Sequence, residues 1–228
     1  MKLPGYWLER PAGEPDLDTR RGFDRLLSAA LASGQNPAID YALPAPRWQF
    51  LCHAAEQHDV ALHGSGDPGI TLFEPRQSVD LNPFGSQKAV YAASDGIWAM
   101  FFAIVDRDRQ AMSVNNACIR LVDGAGGGSG PFYFFSVSRA ALAGRPWRSG
   151  TVYLLPRATF AGQPAVPFGA GQAQVAQLAS PEPVRPLARL AVTPGDFPFL
   201  GQIRGHDDDR LEEYATALQT GAPWPGEP

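Results

Sequence analysis

The sequence predicts an α+β domain: a core of short, mostly antiparallel strands with N-terminal helices packed on it. Three observations lead there. The 228 residues include 24 Gly and 22 Pro, too many breakers for a long-helix bundle and a number that suits short strands joined by turns. Hydrophobic residues make up 44% of the chain and charged residues 18%, which excludes bulk disorder and supplies a sizeable core. The apolar patterns come in the order helices, two strands about a loop, a helix, then several strands. That order is not the βαβ alternation of a parallel sheet.

Residues 1–20 are rich in Pro, Gly and Glu and read as an arm. The spacing predicts a helix over Arg21–Ser33, because Phe23, Leu26, Leu27, Ala30 and Leu31 form one stripe and Gly34 can cap its end. A second helix is expected over Pro46–Asp59, with Pro46 at its first turn and Trp48, Leu51, Cys52 and Ala55 on one face. Val60–His63 reads as a buried strand, 64–69 as a turn, and 66–88 as a long irregular excursion of the kind that often carries function. Ala89–Ala93 is the next strand, and Ser94 can cap a helix from Asp95 to about Asp106. Strands follow at 117–122, 132–137, 151–155 and 187–192, and a last helix over Arg210–Gln219 behind the acidic run Asp207–Asp209. The organisation expected is an arm and helix over 1–45, a central domain over 46–205 and a helix with a tail over 206–228.

The net charge of −4 disfavours a strong electrostatic grip on phosphate backbones, although Arg145, Arg148 and Arg157 leave a local patch open. Cys52 and Cys118 share no metal-binding spacing and read as free thiols in a reducing compartment, so the expected location is cytoplasmic, with export lacking a cleaved signal left open. No apolar stretch reaches the length of a membrane span, and no membrane partner is expected. The stretch Asp123–Gly130 is glycine-rich but lacks the spacing and the Lys-Ser or Lys-Thr of a phosphate loop, and reads as a flexible hairpin connection. Asp106, Asp108 and Asp123 are too scattered for a calcium loop, and no nucleophile elbow occurs. His53 and His58 lie five apart, not the four that place two ligands on one helix face. They read as a surface or half-buried pair, and no metal is expected.

One constellation survives. His63-Gly64-Ser65 ends an apolar strand; Phe84-Gly85 follows some twenty residues later; then come the strand Val90-Tyr91-Ala92-Ala93 and a helix that places Phe102 eleven residues beyond Tyr91. This order resembles the ADP-ribosyltransferases of the diphtheria-toxin and poly(ADP-ribose) polymerase class. The resemblance covers residues 60–105 well and 150–195 loosely, and nothing specific matches in 1–45 or 205–228. It implies a split antiparallel sheet core over 46–205 and NAD as co-substrate.

By the same resemblance His63 bonds the adenine-side ribose, the Gly64 backbone clamps the nicotinamide carboxamide with Ser65 beside it, and Tyr91 and Phe102 sandwich the ring. Ala99 stands where many members carry a serine that touches the carboxamide, and Gln177 where the class has its glutamate, with Glu182 the nearby substitute. The catalytic set implied is therefore His63, Tyr91 and Gln177. The function implied is mono-ADP-ribosyl transfer or NAD cleavage, with the acceptor open between a protein, a nucleic acid and a small molecule and the oligomeric state unassigned. A catalytically inactive domain of the same fold that binds NAD, ADP-ribose or a partner protein is the alternative.

Overall fold

Two sheets, each covered on both faces, organise the chain. The computed structural model describes residues 3–78, 82–122 and 128–225. Its α+β architecture agrees with the sequence reading, and all strand pairs but one are antiparallel. In chain order the elements are β1 (Leu8–Glu9), α1 (Leu17–Ser33), α2 (Arg47–Gln57), β2 (Val60–Ser65), β3 (Arg76–Gln77), β4 (Lys88–Ala93), α3 (Gly96–Ile104), β5 (Val114–Val122), β6 (Gly128–Ser138), α4 (Arg139–Ala143), β7 (Gly150–Pro156), β8 (Ala161–Gly162), β9 (Val166–Phe168), β10 (Gly171–Val175), β11 (Gln177–Ser180), β12 (Ala188–Val192), β13 (Arg204–His206) and α5 (Leu211–Thr220). One sheet runs β12-β7-β2-β4-β11-β8 with β3 joined to β4; the other runs β1-β6-β5-β10-β9 with β13 parallel to β6.

The first core lies between the sheets. It combines Val60, Leu62, Ala93, Val152 and Leu154 of one sheet with Cys118, Tyr133, Phe135 and Val137 of the other, and it encloses most of α3 together with the inner faces of α1 and α2. A second core covers the outer face of the β2–β4 sheet with Ala61, Phe73, Ala92, Tyr153, Leu155 and Leu178. A third covers the outer face of the other sheet with Tyr6, Trp7, Phe134, Tyr214 and Trp224. Strands buried on both faces read as continuous apolar runs. Hence Phe-Tyr-Phe-Phe in β6 sends Tyr133 and Phe135 inward and Phe134 outward.

Several expectations need correction. The arm is not a free appendage, because Tyr6 and Trp7 are buried and β1 pairs with β6. α1 starts at Leu17, four residues before the expected Arg21, because the Asp16 carboxylate accepts from the Thr19 N–H at 2.8 Å. The cap of α3 is Asp95, whose side chain accepts from the Trp98 N–H at 2.9 Å, not Ser94, which instead bonds the Ala176 carbonyl. β2 runs on through Ser65, so the turn begins later than residue 64. The glycine-rich connection falls largely at 123–127, outside the described residues, but its flanks β5 and β6 form the antiparallel pair that a hairpin requires. Both cysteines are free, buried thiols, and burial pushes their pKa values up.

Candidate functional site

β2 pairs with β7 through six rungs, from Val60–Pro156 to Ser65–Thr151. β4 pairs with β11 through four, from Ala93–Gln177 to Val90–Ser180. Between them β2 and β4 share a single rung, Leu62–Ala93. Beyond it the sheet splits, with Gly64 and Ser65 on one side of the opening and Val90 to Ala92 on the other.

His63 bridges the opening. Its Nδ1 lies 2.7 Å from the Tyr91 carbonyl oxygen. A carbonyl only accepts, so Nδ1 carries the proton and Nε2 is left as an acceptor. Among the described residues Nε2 makes no hydrogen bond. Burial lowers the His63 pKa, partly offset by the bond to Tyr91, which keeps the ring neutral at pH 7. The ring packs on Phe73 at 4.6 Å between centroids, within the outer core.

The Tyr91 hydroxyl shares its one proton between the carbonyls of Phe84 (3.1 Å) and Gln87 (2.9 Å) and accepts from the Gln87 N–H at 3.0 Å. The Phe84-Gly85 turn therefore fixes the tyrosine, which gives the spacing of those two motifs a physical meaning. Gln177 sits opposite Ala93 in the register, one rung across from Leu62. Its side-chain amide makes no hydrogen bond among the described residues. Tyr91 and Gln177 share the face of Ala93, toward α3, whereas His63 lies on the other face of its strand.

α3 forms the floor behind β2. A Cβ on Gly64 would collide with the Ala99 carbonyl oxygen and lie 2.7 Å from the Ala103 nitrogen. The glycine is thus required by the close approach of β2 to the helix, whatever its backbone does on the opening side. Eight of the nine residues of α3 are buried; Phe102 is 37% exposed. Its ring packs edge-on to Trp98 at 5.9 Å and Phe101 at 5.7 Å. Ala99 is 1% exposed and lies in the inner core, so its methyl presents no surface to a ligand. The Ser65 hydroxyl accepts from the Asp67 N–H at 3.1 Å and so shapes the turn after β2. Glu182 is exposed past the end of β11, with its N–H donating to the Ser180 hydroxyl at 3.2 Å.

No family model, curated protein or solved structure matches the chain. The site is therefore read from its own geometry. The basic patch left open at Arg145, Arg148 and Arg157 is partly spent internally: Arg148 pairs with Asp106 and Asp108, and Arg157 donates to the Phe160 carbonyl. Among the described residues no helix is long and apolar enough to cross a membrane.

Two polar clusters, and the carboxylate that completes a third around the half-buried pair His53 and His58, were not visible in the sequence. Asp95 is buried and accepts from Arg10 Nη2 and the Tyr133 hydroxyl, each at 2.8 Å, while Arg10 also pairs with Glu56 at 2.7 Å. Burial beside this carboxylate pushes the Tyr133 hydroxyl well above its ordinary pKa. His206 is fully buried between the hydroxyls of Ser113 (2.6 Å to Nε2) and Ser136 (2.7 Å to Nδ1). Ser113 spends its proton on Asp208, so His206 Nε2–H is the donor to it. His206 is buried although Asp208 is exposed, and because the Ser113 proton goes to the carboxylate and not to the ring, the set joins β13 to β6 and is no nucleophilic triad. The third cluster joins Asp24 to His53 and His58.

Proposed function

We propose that the chain binds NAD in the opening between β2 and β4 and transfers a single ADP-ribose unit from it to an acceptor or to water, on an ADP-ribosyltransferase-like fold. The observation that carries this reading is the single-rung β2–β4 ladder with His63 tethered across it to Tyr91. That arrangement leaves Nε2 as an acceptor on a ring tethered across a gap whose backbone edges are not consumed by a β2–β4 ladder. Nε2 suits a ribose hydroxyl, and the backbone of Gly64 suits a carboxamide. Phe102, exposed on an otherwise buried helix, offers a ring face for the nicotinamide.

In the reaction the bond between ribose C1′ and the nicotinamide nitrogen breaks, and nicotinamide leaves with the electron pair. The acceptor's nucleophile bonds C1′ and gives up its proton. Positive charge develops on the ribose, and enzymes of this kind gain rate by holding the ring and stabilising that charge. Gln177 supplies a hydrogen bond to a ribose hydroxyl but no negative charge. The substitute carboxylate, Glu182, lies beyond the end of β11. These two facts favour a second reading, an NAD or ADP-ribose binder without turnover.

Nicotinamide release from NAD, followed by mass spectrometry, separates the readings. Release by the wild type and not by His63→Ala is expected. NAD-dependent stabilisation without release leaves the binder. No release and no stabilisation at millimolar NAD overturns both, since any ligand selective for the native state raises its melting temperature.

A further inference from the structure

Asp24 on α1 and His53 and His58 at the end of α2 converge on one point. His53 Nε2 is 2.7 Å and His58 Nε2 2.9 Å from the same oxygen, Asp24 Oδ1, and the three donor atoms all lie within 4.8 Å of one another. The two histidines are five apart in sequence, which on a continuous helix would turn them away from each other. They meet because the helix stops at Gln57 and His58 is extended, with φ −132° and ψ 159°, so its ring folds back beside that of His53 at 5.7 Å between centroids. The geometry points to a divalent transition-metal site, zinc being its natural occupant, held by Asp24, His53 and His58.

Two imidazoles and a carboxylate are a nitrogen-rich donor set that suits zinc, cobalt, nickel or copper rather than magnesium or calcium. Ligands bonded at about 2.0–2.1 Å in a tetrahedron sit roughly 3.3 Å apart. The carboxylate must therefore draw back by about half an ångström to admit the ion. Asp24 can do so, since its side chain is 48% exposed. His53 need not move: its ring is wedged against Phe23 at 5.4 Å. Three protein ligands and an exposed carboxylate leave the fourth position to water. The bound ion would pin α1 to the end of α2, immediately before Val60 opens the strand that carries His63. The site does not depend on the NAD reading.

The test uses the full chain without an affinity tag, stripped with chelator and then titrated with Zn²⁺ by calorimetry and with Co²⁺ by absorption. One equivalent should bind, the cobalt form should show the visible bands of a four-coordinate site, and Zn²⁺ should raise the melting temperature. Asp24→Asn keeps the carboxylate's shape and His58→Gln alters a partly exposed side chain. Each should fold without metal and weaken binding by at least about tenfold, the scale on which even indirect supports of a metal act. A wild type that binds neither ion at hundred-micromolar concentration overturns the site, as does unchanged affinity in both folded variants; the cluster is then a hydrogen-bonded His-Asp-His set.

Discussion

At the scale of single residues, three positions concentrate the account. Phe102 is the exposed residue of a buried helix. Phe102→Ala removes the ring face and should weaken NAD binding by about two- to tenfold, from a stacking contribution of roughly 0.5–1.5 kcal/mol, while leaving the melting temperature within a few degrees. Gly64 has the opposite character. Gly64→Ala drives a methyl into the α3 backbone and should cost about 1–3 kcal/mol or more through overpacking, read as a lower midpoint in denaturant. His206 sets an acid limit. Burial holds its pKa below the ordinary 6.5. Below about pH 6.5 the unfolded chain protonates this ring while the folded chain resists, so stability falls as the pH drops toward the folded-state value. His63 acts in the same direction. Melting temperatures followed from about pH 7.5 to about pH 5 should fall in the wild type. His206→Asn should be less stable at the upper end and less steep across the range.

At the scale of elements, the site depends on how β2, β4 and α3 meet. The Asp95 carboxylate caps α3 and anchors Arg10, one residue past β1, so the N-terminal segment is wired to the helix that backs the opening. Asp95→Ala removes the cap of α3 and leaves the buried Tyr133 phenol without its acceptor and Arg10 with Glu56 alone, and should cost roughly 1–3 kcal/mol, measured by chemical unfolding. The sequence made some of these elements legible and not others, for identifiable reasons. β2, β4, β7 and β12 are apolar and β-branched, and α1 to α3 carry stripes or caps. β8 to β11 are written mostly in Ala, Gly and Gln; they are strands because of their partners rather than their propensity. The motifs of the candidate site were visible because each is local: His-Gly-Ser, Phe-Gly and the spaced aromatics. The split of the sheet beside them is a matter of register: the resemblance implied it, but no residue pattern in the chain shows it. The Asp24 cluster was hidden for two reasons. Its carboxylate lies 29 residues from the first histidine, and the chain reversal at His58 defeats helical spacing.

At the scale of the whole molecule, the two ends of the chain close the outer core of the second sheet together. The Tyr6 hydroxyl reaches the carbonyls of Ala217 at 2.9 Å and Ala222 at 2.8 Å. The Trp224 ring packs at a tilt 4.4 Å from Tyr214 and 4.8 Å from Phe134 between centroids. Trp224→Ala should cost about 3–5 kcal/mol and lower a single melting transition rather than split it, because the inner core is shared by both sheets. The function proposed rests on a different region, the opening in the first sheet. The most direct measurement there is calorimetric titration of NAD into the wild-type chain and into Phe102→Ala. Saturable binding at one site is expected in the wild type, and about two- to tenfold weaker binding in the variant. Equal affinity in the two chains, or no heat from either at millimolar NAD, would contradict it.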